Sequence, residues 1–336
     1  MIDFSELVDV ARKMFPADQL APERDRAWGL ATEMGWGMIR VPEAYGGLQL
    51  GRAASTAIHY ELGRVLSRMP MIPAQLGVLA VAASSMPDRG ALLERMMGGE
   101  YISVPLLDPR IHASDGTISG SLHGVPDADM ATHVLVDAAN RIGLVSLAAD
   151  GVALVERETW DATRRMFDIL LHDVRLDSGM IMAEGAHASA IRAELGVEMH
   201  LALAADSLGG ATAALEMSTE YLKTRQQFGR PLAMFQALKH RCADLKKEIA
   251  LGDALLRATA ADKQAGMVAA GALKSFAARI YRDVAEEAIQ LHGGIGLTIE
   301  MPVHLFLKRA MLNCELGGCE DIWAERAGRE MLARTA

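Results

Sequence analysis

From Ala186 onward, apolar residues recur at helical spacing almost without interruption. The runs cover about 186–222, 234–264, 267–292, 298–312 and 318–334. Long helices joined by short loops favour an antiparallel bundle, which fixes the architecture of nearly half the chain. Gly209-Gly210 lies inside the first run and costs about 1 kcal/mol per glycine relative to alanine. A helix that keeps such a pair is expected to be packed closely there.

The preceding residues have two other characters. Residues 3–99 also read as helices, at about 3–14, 22–34, 52–66, 74–86 and 88–97. The loop Gly35-Trp36-Gly37-Met38-Ile39-Arg40-Val41-Pro42-Glu43-Ala44-Tyr45-Gly46-Gly47 interrupts them. Residues 100–182 hold short β-prone runs separated by Asp, Asn and Gly: 101–107, 117–122, 132–138, 142–147, 152–155 and 169–174. The expected fold class is α+β. An N-terminal α-helical domain (1–99) precedes a small central β-barrel or sandwich domain (100–182). A C-terminal antiparallel four-helix bundle (183–336) follows. No βαβ alternation occurs, so the glycines cannot be a Rossmann fingerprint.

Hydrophobic residues make up 51% of the 336, but aromatics only 5%, and Ala, Leu and Met dominate that share. These are good helix formers. The net charge of −9, without a basic tail, argues against nucleic acid or an anionic membrane as partner. There is no signal-peptide pattern and no apolar run of membrane-spanning length, so a cytoplasmic location is expected. Cys242, Cys314 and Cys319 are odd in number and form no CxxC. They read as reduced thiols, and the scattered histidines offer no metal site.

Two stretches carry chemistry. The first is Tyr221-Leu-Lys-Thr-Arg-Gln-Gln-Phe-Gly-Arg-Pro-Leu-Ala-Met-Phe-Gln236, followed by His240. The second is Gln290-Leu-His-Gly-Gly-Ile-Gly296. The first gathers a cation, an aromatic ring, a glycine and an amide in one short turn. A guanidinium forks onto pyrophosphate oxygens. A phenyl ring offers a flat apolar surface. Paired glycines let a ligand approach the backbone. Taken singly, Arg225 could be a solvated charge and Gly293-Gly294 a helix C-cap. Together they point to a surface for the phosphates and adenine of a dinucleotide.

With these motifs, the chain resembles the acyl-CoA dehydrogenase family over most of its length. The 35–47 loop with Glu61-Leu62-Gly63-Arg64 is similar to the family's first helical domain. Arg225-Gln226-Gln227-Phe228-Gly229…Phe235-Gln236…His240 matches its most specific motif. Gln290…Gly296 and Glu300-Met301-Pro302 match its C-terminal motif. The resemblance implies an FAD cofactor, an acyl-CoA substrate and an acceptor of the electron-transfer flavoprotein type. It further implies that Arg225, Phe228, Gln236, Gln290, Gly293 and Gly294 reach across an interface to a neighbouring subunit's FAD.

The family's proton-abstracting carboxylate is missing from its usual places. A gapless count from Pro302 and Ile322 puts Leu316-Gly317-Gly318-Cys319 where common members have Tyr-Glu-Gly-Thr. The base position is therefore Gly317, and Cys319 replaces a flavin-holding threonine. The alternative base position, on the helix before Arg225, is Met199. Glu198 beside it is turned about 100° away. His200 replaces an arginine usual there. Glu320 and Glu198 remain as weak candidates for a relocated base. Ser103-Val104-Pro105-Leu106-Leu107-Asp108-Pro109 keeps little of the family's Thr-Glu-Pro…Gly-Ser-Asp segment. The family's strand element Trp-Ile-Thr/Ser is not evident, and Val125-Pro126-Asp127-Ala128-Asp129 follows Gly120 where the family has a comparable loop.

The grip on a neighbour's FAD is thus kept, whereas the pocket for the chain's own chemistry is degraded. The expected assembly is a heterotetramer (α2β2) with a homologous catalytic subunit. It resembles the steroid side-chain acyl-CoA dehydrogenases in which one short subunit lacks the base. Two alternatives stand beside it: a self-sufficient homodimer with a relocated Glu, and a non-enzymatic acyl-CoA-binding scaffold.

Overall fold

The computed structural model describes residues 4–107, 110–114, 116–138 and 140–335. In chain order, the first five helices are α1 (Phe4–Met14), α2 (Arg24–Glu33), α3 (Arg52–Arg64), α4 (Met71–Ala83) and α5 (Arg89–Met97). Eight strands follow: β1 (Ile102–Ser103), β2 (Arg110–Ser114), β3 (Thr117–Pro126), β4 (His133–Ala138), β5 (Arg141–Ser146), β6 (Val152–Arg157), β7 (Met166–Arg175) and β8 (Ile181–Glu184). The long helix α6 (Gly185–Thr224) leads to a hairpin, β9 (Gln226–Gln227) and β10 (Arg230–Pro231). Then come α7 (Gln236–Ala261), α8 (Met267–His292), α9 (Val303–Glu315) and α10 (Glu320–Thr335).

The chain forms two compact units, to each of which α3 and α6 contribute a part. One comprises Glu23–Ser55 and Arg68–Met199. Its helix α4 is buried on nearly all sides, as its uninterrupted apolar sequence requires. Gln75 is the exception inside α4. Its amide accepts from the Ser55 hydroxyl (2.7 Å) and donates to the Trp36 carbonyl (2.9 Å), so both its polar ends are satisfied.

The strands of this unit make two four-stranded sheets, ordered β1-β4-β5-β8 and β2-β3-β7-β6. The second is antiparallel throughout, while β1 joins the first in parallel. Val134, Val136 and Val145 of the first sheet share one core with Leu122, Val125, Phe167, Ile169 and Leu171 of the second. The β domain is therefore a sandwich; among the described residues no barrel closes.

The other unit comprises Met1–Pro22, Thr56–Ser67 and His200–Ala336, within the described residues. The glycine pair of α6 does what its cost suggested. A Cβ on Gly209 would lie 2.0 Å from the Tyr60 carbonyl oxygen, and one on Gly210 would lie 2.3 Å from the Tyr281 ring. Asp206, one turn earlier, is buried and paired. The Asn313 amide donates to it at 2.7 Å and the buried Arg309 guanidinium at 3.4 Å, as a carboxylate inside a helical core requires.

Candidate FAD-contacting arm and the Gly317 loop

The arm starts where α6 ends. The Arg225 N–H donates to the Tyr221 carbonyl (2.8 Å), and the Arg225 carbonyl accepts from the Leu232 N–H (2.9 Å). Between them, β9 and β10 pair antiparallel across the two-residue turn Phe228-Gly229. Both turn residues have positive φ, +55° and +76°, the sense of twist that a tight hairpin demands. Glycine takes this freely, but phenylalanine does so at a cost. Phe228 is also 89% exposed. The arm is braced from within: the Arg230 guanidinium lies 4.1 Å from the Phe235 ring centroid, and Phe228 meets that ring edge-on at 6.0 Å.

Gln236 opens α7, whose N-terminus has no side-chain cap and no acid in its first turn. Its first N–H groups are thus left for water or an anion. The second motif closes α8. Gly293 follows His292 with φ +64° and ψ −144°, a conformation essentially restricted to glycine. A Cβ on Gly293 or Gly294 would meet nothing within 4 Å, so backbone conformation and open approach, not crowding, account for the pair. Arg225, Gln236 and Gln290 are exposed, and their side chains have no hydrogen-bond or ion-pair partner among the described residues.

The two motifs meet at a ring pair. Tyr221 stacks on His292, with centroids 4.5 Å apart and planes 26° from parallel. His292 is 3% exposed, and its Nδ1–H donates to the Ala288 carbonyl at 2.7 Å.

At Gly317, where the sequence count expects the family's base, the backbone carbonyl is engaged by two side chains. The Gly317 carbonyl accepts from His200 Nε2 (2.9 Å) and from Trp323 Nε1 (2.8 Å). His200 and Trp323 also pack edge-to-face at 4.5 Å. Gly318 is held too: the Lys274 ammonium donates to its carbonyl and to that of Cys314, both at 2.9 Å. Lys274 is fully buried, and burial pushes its pKa down to about 8, against a smaller upward pull from Cys314, Glu315 and Cys319. Sequence reading missed this lysine. The signal was its place among Ala270, Gly271, Leu273 and Ala277, on the buried face of α8.

Neither candidate for a relocated base is placed like one. Glu198 is buried, and its Oε1 accepts from Arg52 Nε at 2.7 Å and pairs with Arg40. Both contacts commit it to a structural ion pair. Glu320 is exposed at the start of α10, with its nearest cation, Arg279, at 3.9 Å. It is placed to favour the helix dipole.

The segments standing for the family's flavin-ring contacts are turned inward. Ser103 is fully buried, and its hydroxyl donates to the Pro126 carbonyl (2.9 Å), which also accepts from the Tyr101 hydroxyl. Asp127 is buried and paired with Arg24 at 3.0 Å. Asp108 and Pro109 lie outside the described residues. Among the described residues no cluster of three potential metal ligands occurs, and no helix is long and apolar enough to cross a membrane.

Comparison with known proteins places the fold in a family. The family model for the acyl-CoA dehydrogenase N-terminal domain matches residues 5–100, and that for the C-terminal domain matches residues 191–332. The acyl-CoA dehydrogenase IpdE2 of Mycobacterium tuberculosis is 33% identical over 85% of this chain and 80% of its own length. A variant of the steroid acyl-CoA dehydrogenase Tcur3481-Tcur3483 superposes with a TM-score of 0.86 at 26% identity, covering 99% of this chain and 98% of that one. The ChsE4-ChsE5 complex of Mycobacterium tuberculosis shares the fold, with a TM-score of 0.83 at 24% identity over 98% and 96% of the two chains. On these matches and the fold they share, the chain belongs to the acyl-CoA dehydrogenase family.

Proposed function

We propose that this chain is the flavin-site-completing subunit of a heteromeric acyl-CoA dehydrogenase, paired with a homologous catalytic subunit. FAD is the cofactor of this family, and when bound it accepts the hydride leaving the acyl β-carbon. The observation that carries the reading is a contrast within one helical unit. Arg225 and Gln236 on an internally braced arm, and Gln290 near the end of α8, are unpaired among the described residues, while the base position is a glycine whose carbonyl already has two donors.

The residues present suit FAD. Arg225 would neutralise pyrophosphate with a forked, charge-assisted contact. The uncapped start of α7 adds partial positive charge beside it. Phe228 offers its exposed ring to a flat group, Gln236 and Gln290 offer amides to polar edges, and Gly293-Gly294 leaves room for close approach. The carboxylate that removes the acyl α-proton is supplied by the catalytic subunit. Likeness to a steroid acyl-CoA dehydrogenase supports a steroid side-chain CoA thioester as substrate. An electron-transfer flavoprotein-type protein then takes the electrons.

The test is co-expression with a homologous acyl-CoA dehydrogenase subunit that carries the catalytic carboxylate. The chain purified by itself should be colourless, and the pair yellow and active in a single assembly. Arg225→Ala in the pair should weaken FAD retention by about tenfold or more, the affinity of one charged hydrogen-bonded contact. A yellow, active chain without its partner overturns the proposal.

A further inference from the structure

The Tyr221–His292 stack has no part in the contacts assigned so far. We infer that this ring pair is a positioning device, which sets the Arg225 arm against the Gly293-Gly294 turn so that both can engage one FAD. The inference rests on the arm being an FAD grip, and it adds residues that the grip itself does not require to touch the cofactor.

The geometry points this way. Tyr221 lies one helical turn before Arg225 and receives its backbone N–H, so the direction of the arm is set from Tyr221. His292 is the last residue of α8, directly before the glycine whose strained conformation starts the turn. The stack therefore joins the root of one motif to the root of the other. The nearest contacts of each motif lie in its own stretch of chain: the arm is held by the Leu232 N–H and the Arg230–Phe235 contact, and the His292 ring by Ala288 one turn back, while an Arg241–Glu287 ion pair further along joins α7 to α8.

The chemistry of His292 favours the same reading. A carbonyl only accepts, so Nδ1 carries the proton toward Ala288, and Nε2 is left as an acceptor. Nε2 is buried with no partner. Such an orphan destabilises the chain, and a phenylalanine would fill the place without it. Burial also lowers the pKa of this histidine, which keeps the ring neutral against the tyrosine. What the position needs is therefore a flat ring facing Tyr221.

The experiment measures FAD dissociation, by flavin fluorescence, from the purified assembly of the chain with its catalytic partner. His292→Ala and Tyr221→Leu should each raise the FAD dissociation constant about three- to tenfold, the affinity of one lost aromatic pair. The double variant should lose no more than the worse single, because both remove the same contact. His292→Phe keeps the stack and should hold FAD as the unaltered chain does, with a higher Tm. Arg225→Ala in the same assay separates the two levels of the argument. If it weakens FAD while His292→Ala and Tyr221→Leu do not, the positioning role is wrong and the grip stands. If Arg225→Ala has no effect, the grip itself is wrong. Additive losses in the double variant, or His292→Phe behaving as His292→Ala does, also overturn the positioning role.

Discussion

His200 Nε2 lies 2.9 Å from the carbonyl oxygen of Gly317, so α6 holds the loop in which the sequence count expects the family's base. Trp323 adds a second donor to the same oxygen. A carboxylate cannot be restored there by side-chain substitution alone. Gly317 has φ +70°, and a Cβ on it would lie 3.1 Å from Leu203 Cδ1 and 3.2 Å from His200 Nε2. Gly317→Glu should therefore confer no acyl-CoA-dependent dye reduction on this chain. It should also lower stability by about 1–3 kcal/mol, from backbone strain and contact with the His200 ring. Thermal melting and a dye-reduction assay check both, and measurable turnover would show that the loop can still open.

Lys274 gives a pH signature to the same brace. Its pKa is pushed from 10.5 down to about 8 by burial, so between those values the unfolded chain binds the proton and the folded chain does not. Stability linked to this group therefore rises with pH through that window and is flat below about 8. The neutral amine still carries two N–H donors, one each for the Cys314 and Gly318 carbonyls. Lys274→Met removes both the proton linkage and the donors. The stability difference between the unaltered chain and Lys274→Met, from urea unfolding, should widen in favour of lysine from pH 8 to 10. A constant difference across that range contradicts the assigned burial.

Glu198 tests whether a relocated base operates. Its contacts with Arg40 and Arg52 make it a structural carboxylate. Glu198→Gln should cost about 3 kcal/mol, since two mostly buried cations lose their nearest anion; Glu194, also paired with both arginines, softens the loss. FAD content and turnover of the assembled enzyme should stay within about twofold of the unaltered values, because no proton transfer passes through the residue. A fall in turnover of 100-fold or more, of the order a lost general base produces, would assign it a catalytic role.

Much of this framework is legible in residue type and spacing. The helical periodicity after Ala186 gives the bundle, the glycine pair at 209–210 gives its closest packing, and a lone Asp206 among apolar residues calls for a basic partner, found in Arg309, though not for Asn313. What spacing cannot give is pairing across distance. The strand-like runs do not reveal which sheet each joins, so sandwich and barrel stay equivalent until β1 is seen beside β4. Two strands escape notice altogether. β2 has the polar sequence Arg-Ile-His-Ala-Ser, and β8 is only four residues long. The candidate site shows the same limit. Arg225 and Gly293 stand out by type, whereas the Tyr221–His292 stack and the Lys274 brace depend on residues brought together from distant parts of the chain.

Phe228 bears two costs that local structure does not explain: positive φ at a non-glycine residue and an almost fully exposed ring. In a two-residue hairpin turn, Asn-Gly is the favoured pair, since asparagine enters the left-handed region more readily. Phe228→Asn should therefore leave the hairpin intact and raise stability by up to about 1 kcal/mol, through relief of backbone strain. The ring would be lost from the arm at the same time. If that ring packs on the cofactor, FAD retention in the assembly should fall about threefold to tenfold while the Tm of the chain holds or rises. A gain in stability together with loss of cofactor separates a functional ring from a structural one, because a structural ring would lose both. If FAD retention is unchanged, the ring has no part in the grip, and Arg225 with the glycine turn must account for it.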